Sequence, residues 1–415
     1  MRLGTRGGLA VAAVLGVAAL LRLAWVVGAQ WEDPLVGDAI YYSAQAEVLA
    51  EGRGFEHPYT GEAAADHPPL TPVVFAPASW LDPLLPGDVI QAQRLLGAAL
   101  GVVAVWALGL LAREVGGDRT ALVAMAIAAV YPGLWINDGL IMSETPTAVV
   151  TALLLWVLIR WSRGSSPAWL VGLVGGVATL TRAELALLVA LAVVPLVLLR
   201  RPIPWRDLAV VPLVAALVLA PWTLRNLARF EEPVLISTND GLTLIGANCD
   251  RTYGEGLGFW DLRCAPPIEG DQSEVSAAYR DLAFDYIAEH KGELPKVVAA
   301  RIGRVWSLWR PNDMVFLNQG EDREPAASRL ALWGYWALAP VAAAGTVLLW
   351  RRRERAVAGI LLSTAAMVTL TAALFYGIVR FRLPAEVAMV AVAAVAVEHL
   401  LSRRRSAPAD PSAAG

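Results

Sequence analysis

The chain has 415 residues, of which 57% are hydrophobic and 17% charged, with a formal net charge of −3 and a mean hydropathy of +0.53. A water-soluble chain of this length carries more charge. Its apolar residues fall in long runs, so the composition excludes an ordinary soluble domain and indicates a polytopic membrane protein. No basic patch suited to nucleic acid is present, because the arginines sit at the ends of the apolar runs.

Apolar runs lie near residues 8–28, 91–112, 120–136, 145–160, 168–180, 185–199, 207–223, 330–350, 356–379 and 384–401. Basic clusters separate them: Arg2 and Arg6, Arg113 and Arg119, Arg160 and Arg163, Arg200, Arg201 and Arg206, Arg351 to Arg355, and Arg403 to Arg405. The positive-inside rule puts all of these in the cytoplasm. Both termini are then inside and the number of crossings is even; ten fits. Tryptophans near the ends of the runs (Trp25, Trp31, Trp161, Trp205, Trp222, Trp333 and Trp350) have the placing of an aromatic belt. The first run resembles a signal peptide, but it is too long for an ordinary apolar region and Arg22 interrupts it, so it reads as an uncleaved span.

The expected fold class is an all-α polytopic membrane protein of about ten transmembrane helices, with extracytoplasmic loop helices and a small mixed extracytoplasmic segment. Residues 1–223 form an N-terminal transmembrane module with a first extracytoplasmic loop at 31–90. Residues 224–329 form an extracytoplasmic segment, 330–401 the C-terminal transmembrane helices, and 402–415 a disordered cytoplasmic tail.

The first outer loop is acidic. It carries Glu32, Asp33, Asp38, Glu47, Glu51, Glu56, Glu62, Asp66, Asp82 and Asp88 against Arg53 alone. Within it Ala39–Glu51 reads as a short helix that stops at Gly52, with Asp38 as its N-cap. Asp66-His67-Pro68-Pro69-Leu70 reads as a stiff turn back to the membrane. Glu32, Asp33, Glu56, Glu62 and Asp82 read as solvated surface.

The runs 168–180 and 185–199 are short for full crossings and are separated only by Thr181-Arg182-Ala183-Glu184, so they are two spans or one re-entrant stretch. Arg182 and Glu184 either pair and line a polar cavity or sit in a wet turn. Ionisable groups at membrane depth are functional by default, which favours the cavity.

In the larger outer segment, Cys249 and Cys264 are the only cysteines. An oxidising face favours a disulfide, with a gain of about 3 kcal/mol for a loop of this length. The alternative is two free thiols; a metal site needs more ligands. Ser273–His290 has helical spacing, with Ser273 as N-cap and Gly292 past its end. Leu294–Trp309 is amphipathic, flanked by Lys296, Arg301, Arg304 and Arg310; it is a helix lying in the headgroup plane or an ordinary packed one.

Six short pieces give the chain a family resemblance. They are Gly37-Asp38-Ala39-Ile40-Tyr41-Tyr42, His67-Pro68-Pro69-Leu70, Met142-Ser143-Glu144-Thr145-Pro146, Thr179-Leu180-Thr181-Arg182, Pro221-Trp222-Thr223-Leu224-Arg225-Asn226 and Arg380-Phe381-Arg382-Leu383-Pro384. Together, in this order, they resemble the C-type (GT-C) glycosyltransferases, in the bacterial branch of protein O-mannosyltransferase-like and aminoarabinose-transferase-like enzymes.

The resemblance implies transfer of a sugar from a polyprenyl-phosphate-linked donor to an acceptor hydroxyl, at the outer face of a bacterial cell membrane. The acceptor is a glycan, a lipid or a protein. Such a displacement needs a carboxylate for the acceptor and fixed cations for the departing phosphate. Asp38 is the expected base, matching the family's first-loop acid, and Glu144 the second carboxylate. His67, Arg182, Arg225, Arg380 and Arg382 are the expected phosphate-binding groups, with Tyr42 and Asn226 adding hydrogen bonds. His67 stands where relatives often carry lysine. For the three arginines at span ends, headgroup snorkelling is the other reading. Some members of the wider superfamily hold a divalent cation between acidic pairs. Asp38 has no adjacent acid, so no cofactor is expected and a divalent cation stays an alternative. The rival functions are a polytopic lipid or sugar transporter or flippase, and a non-catalytic envelope-assembly protein.

Overall fold

A computed structural model describes residues 5–81, 84, 87–199 and 204–406. Arg2, Asp82, Arg200, Arg201 and the tail beyond Ser406 lie outside the described residues. The described chain is helical, with no strand and one isolated antiparallel bridge, Glu56 to Ala63.

The N-terminal part contains α1 (Thr5–Trp25), α2 (Asp38–Ala50), α3 (Leu70–Phe75), α4 (Pro77–Leu81), α5 (Val89–Gly116), α6 (Asp118–Val130), α7 (Pro132–Trp135), α8 (Glu144–Ser162), α9 (Ala168–Thr181), α10 (Leu185–Leu199) and α11 (Trp205–Leu227). The middle segment holds α12 (Asn239–Ala247), α13 (Asp250–Tyr253), α14 (Gln272–Glu289), α15 (Leu294–Val305) and α16 (Pro311–Leu317). The chain closes with α17 (Pro325–Arg351), α18 (Arg355–Leu374) and α19 (Leu383–Ser406).

Seven helices among the described residues are long and apolar enough to cross a membrane: Gly7–Gln30, Val89–Gly116, Glu144–Ser162, Trp205–Leu227, Pro325–Arg351, Arg355–Leu374 and Val379–Arg403. The other three expected crossings are shorter. The 120–136 run is broken between α6 and α7 at Pro132, which leaves α6 with 13 residues. At 1.5 Å per residue α6, α9 and α10 reach only about 20 Å, against a hydrocarbon core of about 30 Å.

The bundle packs around α19, whose small residues Ala391, Ala393 and Ala394 are buried along with Val387, Val390 and Val395. Small residues let helix backbones approach without a hydrophobic drive from water. Gly345 of α17 lies so close to α19 that a Cβ there would collide with the Val392 carbonyl. Gly172 and Gly176, one turn apart on α9, seat α11 in the same way. The outward side of α11 is bare and apolar, with Leu213, Leu217 and Leu224 exposed. This is the surface expected of a helix facing lipid.

The clusters at 113–119, 160–163 and 351–355 meet at one end of the bundle, where Arg160 pairs with Glu114 (2.9 Å) and Arg163 with Glu354 (3.1 Å). The other end carries the 31–88 loop and the middle segment. That segment is helical rather than mixed, with 3₁₀ turns at Leu262–Cys264 and Asn318–Glu321. Cys249 and Cys264 form a disulfide.

Two local expectations change, and a third choice is resolved. The N-cap of α2 is Gly37, in the left-handed region at φ 61°, and Asp38 is the first helical residue. The Asp38 side chain does not cap because its carboxylate is engaged elsewhere. The N-cap of α14 is Asp271, which accepts from the Ser273 and Glu274 amides while Glu274 accepts from the Asp271 amide. A carboxylate two residues upstream thus displaces Ser273 from that role. Of the two readings of α15, the contacts favour the ordinary packed helix. Its Arg301 and Arg304 are buried and donate inward, Arg301 to the carbonyls of Ala247 (2.6 Å) and Ala373 (3.2 Å), Arg304 to that of Leu257 (2.7 Å). The Ala373 carbonyl belongs to the last turn of α18, where a cation satisfies an orphan acceptor.

Candidate functional site

The site collects at the end of the bundle away from the arginine clusters, where α2 and α8 begin, α9 turns into α10, and a 3₁₀ turn (Val379–Arg382) leads into α19. Its centre is Arg380, which is buried. Nη2 donates to Oδ2 of Asp38 at 2.9 Å, Nε lies 3.2 Å from Oε1 of Glu144, and Nη1 pairs with Glu321. One guanidinium therefore bridges three carboxylates from three distant parts of the chain.

Two more arginines complete the buried layer. Arg182 donates to Glu184 (2.6 Å) and reaches Ser143 and Glu144 (3.4 Å each), with its guanidinium over the Phe381 ring. Arg323 approaches Glu144 at 3.7 Å and donates to Oδ1 of Asn137 at 2.7 Å. Glu144 is fully buried beneath these cations. It organises guanidinium groups and does not line the cavity described below. Its turn is anchored from behind by Asp138, which pairs with Arg22 (2.6 Å) and accepts from the Thr145 hydroxyl (2.9 Å). Arg22, the interruption in the first run, is thus the partner of a buried acid.

His67 stands on the other side of Asp38, with Nε2 3.8 Å from Oδ1, and its ring lies 4.8 Å from that of Tyr42. The 62–67 stretch is tied to the middle segment: Gln272 accepts from the Ala65 amide (3.0 Å) and donates to Asp66 (2.8 Å), and the Thr238 amide donates to the Ala65 carbonyl (2.8 Å). Gly37 is required on steric grounds as well as by its φ. A Cβ there would stand 2.8 Å from the Gly320 carbonyl, so the start of α2 rests directly on the turn that carries Glu321.

Electrostatics separates the carboxylates. Burial opposes ionisation of Asp38, but Arg380 and then His67 overcome it and bring the carboxyl down to about 2. For Glu321 burial dominates, and its carboxyl is held above the usual range despite Arg380. Burial, with Asp38 adding to it, keeps the Tyr42 phenol protonated and therefore a donor.

Two hollows flank this cluster. A cavity of about 330 Å³ is lined by Tyr42, His67, Arg182 and Arg380 together with Glu184, Ser237, Asp240 and Tyr376. A groove of about 1070 Å³ runs between the disulfide-closed stretch and α16, past Trp260, Arg263 and Phe316 to Gly320 and Glu321. Asp38 touches walls of the first and is linked to the second: its partners Arg380 and His67 line the cavity, and Glu321, which shares Arg380 with it, lines the groove. One third of its side chain remains exposed.

The structure thus brings together Asp38, His67, Tyr42, Glu144, Arg182 and Arg380. It does not bring in Arg225 or Arg382. Arg225 donates to the carbonyls of Phe55 (2.5 Å) and Ala64 (2.9 Å) and to Asn226 (2.9 Å), within a cage of Phe55, Trp222 and Phe230. With Asn226, it fastens the first loop to the end of α11. Arg382 turns the other way, to Glu386 (2.6 Å), Ser307 (2.7 Å) and the face of Tyr335. Sequence reasoning passed over Glu321 and Arg323. Their only signal is the charged run Glu321-Asp322-Arg323-Glu324 just before a span. Among the described residues no group of three or more His, Cys, Asp or Glu side chains is placed to hold a metal ion, and the carboxylates nearest one another already share Arg380.

Residues 66–224 match the sequence profile of the dolichyl-phosphate-mannose-protein mannosyltransferase family. No curated protein matches the chain. Among solved structures, the apo oligosaccharyltransferase of Archaeoglobus fulgidus is similar at a TM-score of 0.55 and 16% identity, covering 95% of this chain and 51% of that one. The oligosaccharyltransferase AglB of the same organism, in complex with an inhibitory peptide and a dolichol-phosphate, is similar at 0.53 and 15% identity, covering 96% and 52%. ArnT from Cupriavidus metallidurans bound to undecaprenyl phosphate gives 0.42 and 17% identity, covering 96% and 79%. This chain spans about half the length of the archaeal proteins, and at such identities the likeness is one of fold. The fold is that of the GT-C glycosyltransferases.

Proposed function

We propose that this chain is a membrane glycosyltransferase that moves a hexose or pentose from a polyprenyl-phosphate-linked donor to an acceptor hydroxyl. The observation that carries the reading is the placing of an ionised carboxylate, Asp38, against Arg380 and His67 beside a cavity that both of them line with Arg182. The dolichol-phosphate held by the archaeal oligosaccharyltransferase of similar fold supports a lipid-linked donor.

In this reading the acceptor hydroxyl oxygen attacks the anomeric carbon from the side opposite the phosphate. Its proton passes to Asp38, the bond from carbon to phosphate oxygen breaks, and the lipid phosphate leaves with the electron pair, so the anomeric configuration inverts. Negative charge grows on the phosphate, and fixed guanidinium groups stabilise that growth more than they stabilise the ground state. Arg380 has two roles. Paired with Asp38 it keeps that carboxylate a weak base; when a phosphate draws the guanidinium away, Asp38 becomes more basic. Donor binding therefore prepares the base. The groove that ends at Glu321 gives an acceptor a separate approach, be it glycan, lipid or protein.

The arginine clusters at the far end of the bundle favour a cytoplasmic position for that end, with the site and the middle segment extracytoplasmic in a bacterial cell membrane. A screen of polyprenyl-phosphate hexoses and pentoses against detergent-purified protein tests the function. At least one should bind and lose its sugar to an added acceptor. Failure of the whole panel to bind would remove the proposal.

A further inference from the structure

The lining of the 330 Å³ cavity is not cationic throughout. The start of α12 contributes Asn239, Asp240 and Thr243, with Ser237 just before them. A second hollow of about 320 Å³ shares Ala183, Ser237 and Asp240 with the first and continues to Ser273, Ser276 and Arg280. None of the α12 residues has a part in the reaction as described so far.

Asp240 is held from behind. It accepts from the Ser276 hydroxyl at 3.1 Å and from Arg280 at 3.0 and 3.1 Å, both on α14. Its neighbour Gly241 packs so tightly on α14 that a Cβ would collide with the Ser276 carbonyl. The carboxylate is therefore fixed in place while 42% of the side chain stays accessible. A group that is oriented by its rear contacts and open at its front is preorganised for a ligand.

We infer that the α12 edge, led by Asp240, binds the sugar of the lipid-linked donor, and that this sugar is neutral. The inference rests on the phosphate reading above. Phosphate and sugar are joined through a single oxygen, so a phosphate held by Arg182, Arg380 and His67 places its sugar in the same cavity. The cavity volume lies in the range of about 300–1,000 Å³ that encloses small ligands. Neighbouring hydroxyls of a neutral sugar donate to the open side of the Asp240 carboxylate and exchange hydrogen bonds with Asn239 and Thr243, which line the same cavity. Asp240 is already charge-matched by Arg280, which takes no part in the phosphate site. Its carboxylate therefore offers a sugar hydrogen-bond acceptors without an unmatched charge to draw an amino group.

The test compares affinities of the detergent-purified full chain for undecaprenyl phosphate and for the same lipid carrying glucose, mannose, arabinose or glucosamine. A neutral sugar should bind more tightly than glucosamine. Asp240→Ala should weaken the preferred sugar lipid by about tenfold or more, as for a lost hydrogen bond to a charged group, and leave undecaprenyl phosphate binding unchanged. That unchanged binding also reports intact folding. Asp240→Asn, which keeps the side chain's size, should lie between. Unaltered sugar-lipid affinity in Asp240→Ala, or preference for glucosamine, overturns the inference. Failure of the native chain to bind undecaprenyl phosphate at all would instead strike the phosphate reading and take this one with it.

Discussion

Arg380 Nη2 and Asp38 Oδ2 lie 2.9 Å apart although 342 residues separate them in the chain. The contact joins the first loop to the start of the last helix. It places the most exposed carboxylate of the cluster on the guanidinium that also holds the fully buried Glu144 and the half-buried Glu321. Glu321 pairs with Arg380, and Glu144 has Arg380 as the nearest of its three arginines, so Arg380 supports the local structure as well as the proposed phosphate site.

Replacing Asp38 by Asn should abolish sugar transfer, by a factor on the order of 10²–10⁴ for the loss of a general base. Arg380 still has Glu144 and Glu321, so the fold should persist and undecaprenyl phosphate should still bind. Transfer from a purified lipid donor is the measurement. Activity close to that of the native chain would exclude Asp38 as the base.

Arg380→Ala should be damaging in two ways. Removing one partner of a buried ionic cluster costs about 3–5 kcal/mol, which thermal unfolding in detergent would register. Undecaprenyl phosphate binding should fall as well. Arg382→Ala should lower stability without a matching loss of lipid-phosphate affinity, because Arg382 faces Glu386, Ser307 and Tyr335. Equal effects of the two substitutions on lipid binding would contradict the distinction drawn between them.

Stability should depend on pH through Asp38. Arg380, with His67, holds its carboxyl down to about 2 in the folded chain, against an ordinary value of 3.8. The folded state thus favours the ionised form, and the associated stability is present above pH 3.8 and lost as pH falls through about 2. The difference in unfolding temperature between the native chain and Asp38→Asn should shrink across that window. A constant difference from pH 6 down to pH 2 would show that the carboxylate is not held as described.

Gly37→Ala places a Cβ against the Gly320 carbonyl and asks a non-glycine residue to adopt φ 61°. Backbone strain alone costs about 1–2 kcal/mol, and relief of the clash must separate Asp38 from the Glu321 turn. Gly52→Ala is the control: φ is 80°, but open space surrounds the new methyl group. The Gly37 variant should lose transfer activity while the Gly52 variant loses only stability.

The Cys249–Cys264 disulfide should keep both thiols from labelling until reductant is added. Serine at both positions should lower stability by about 3 kcal/mol, the expectation for a loop of this length. The groove past Trp260 and Arg263 should be disturbed first, since that bond closes the stretch forming one of its walls. Labelling of the untreated chain would reject the bond.

Much of the site could be read along the chain. Arg182 and Arg380 each sit in a short polar break between apolar runs, where a charge stands out against its surroundings, whereas Asp38 and His67 lie in a long acidic loop and were marked only by the pieces that carry the family resemblance. Glu321 and Arg323 could not be found this way. They lie in a polar segment where one more charged pair looks like solvated surface, and only packing against Arg380 and Glu144 buries them. The arginines at span ends were indistinguishable for a related reason. Arg225 and Arg380 differ in what surrounds them, an aromatic cage with loop carbonyls in one case and three carboxylates in the other. Those surroundings come from distant residues. The short helices α6, α9 and α10 show the same limit, since hydrophobicity marks an apolar run but the length of the helix it forms depends on where the chain breaks.

Local composition decided which stretches leave water, where the polar breaks fall, and which end of the bundle gathers the arginines, because transfer into lipid and charge at helix ends act residue by residue. Packing decided which guanidinium groups are already committed to carbonyls or carboxylates and which line a hollow. That choice depends on distances between segments hundreds of residues apart, and no property of a single stretch contains it.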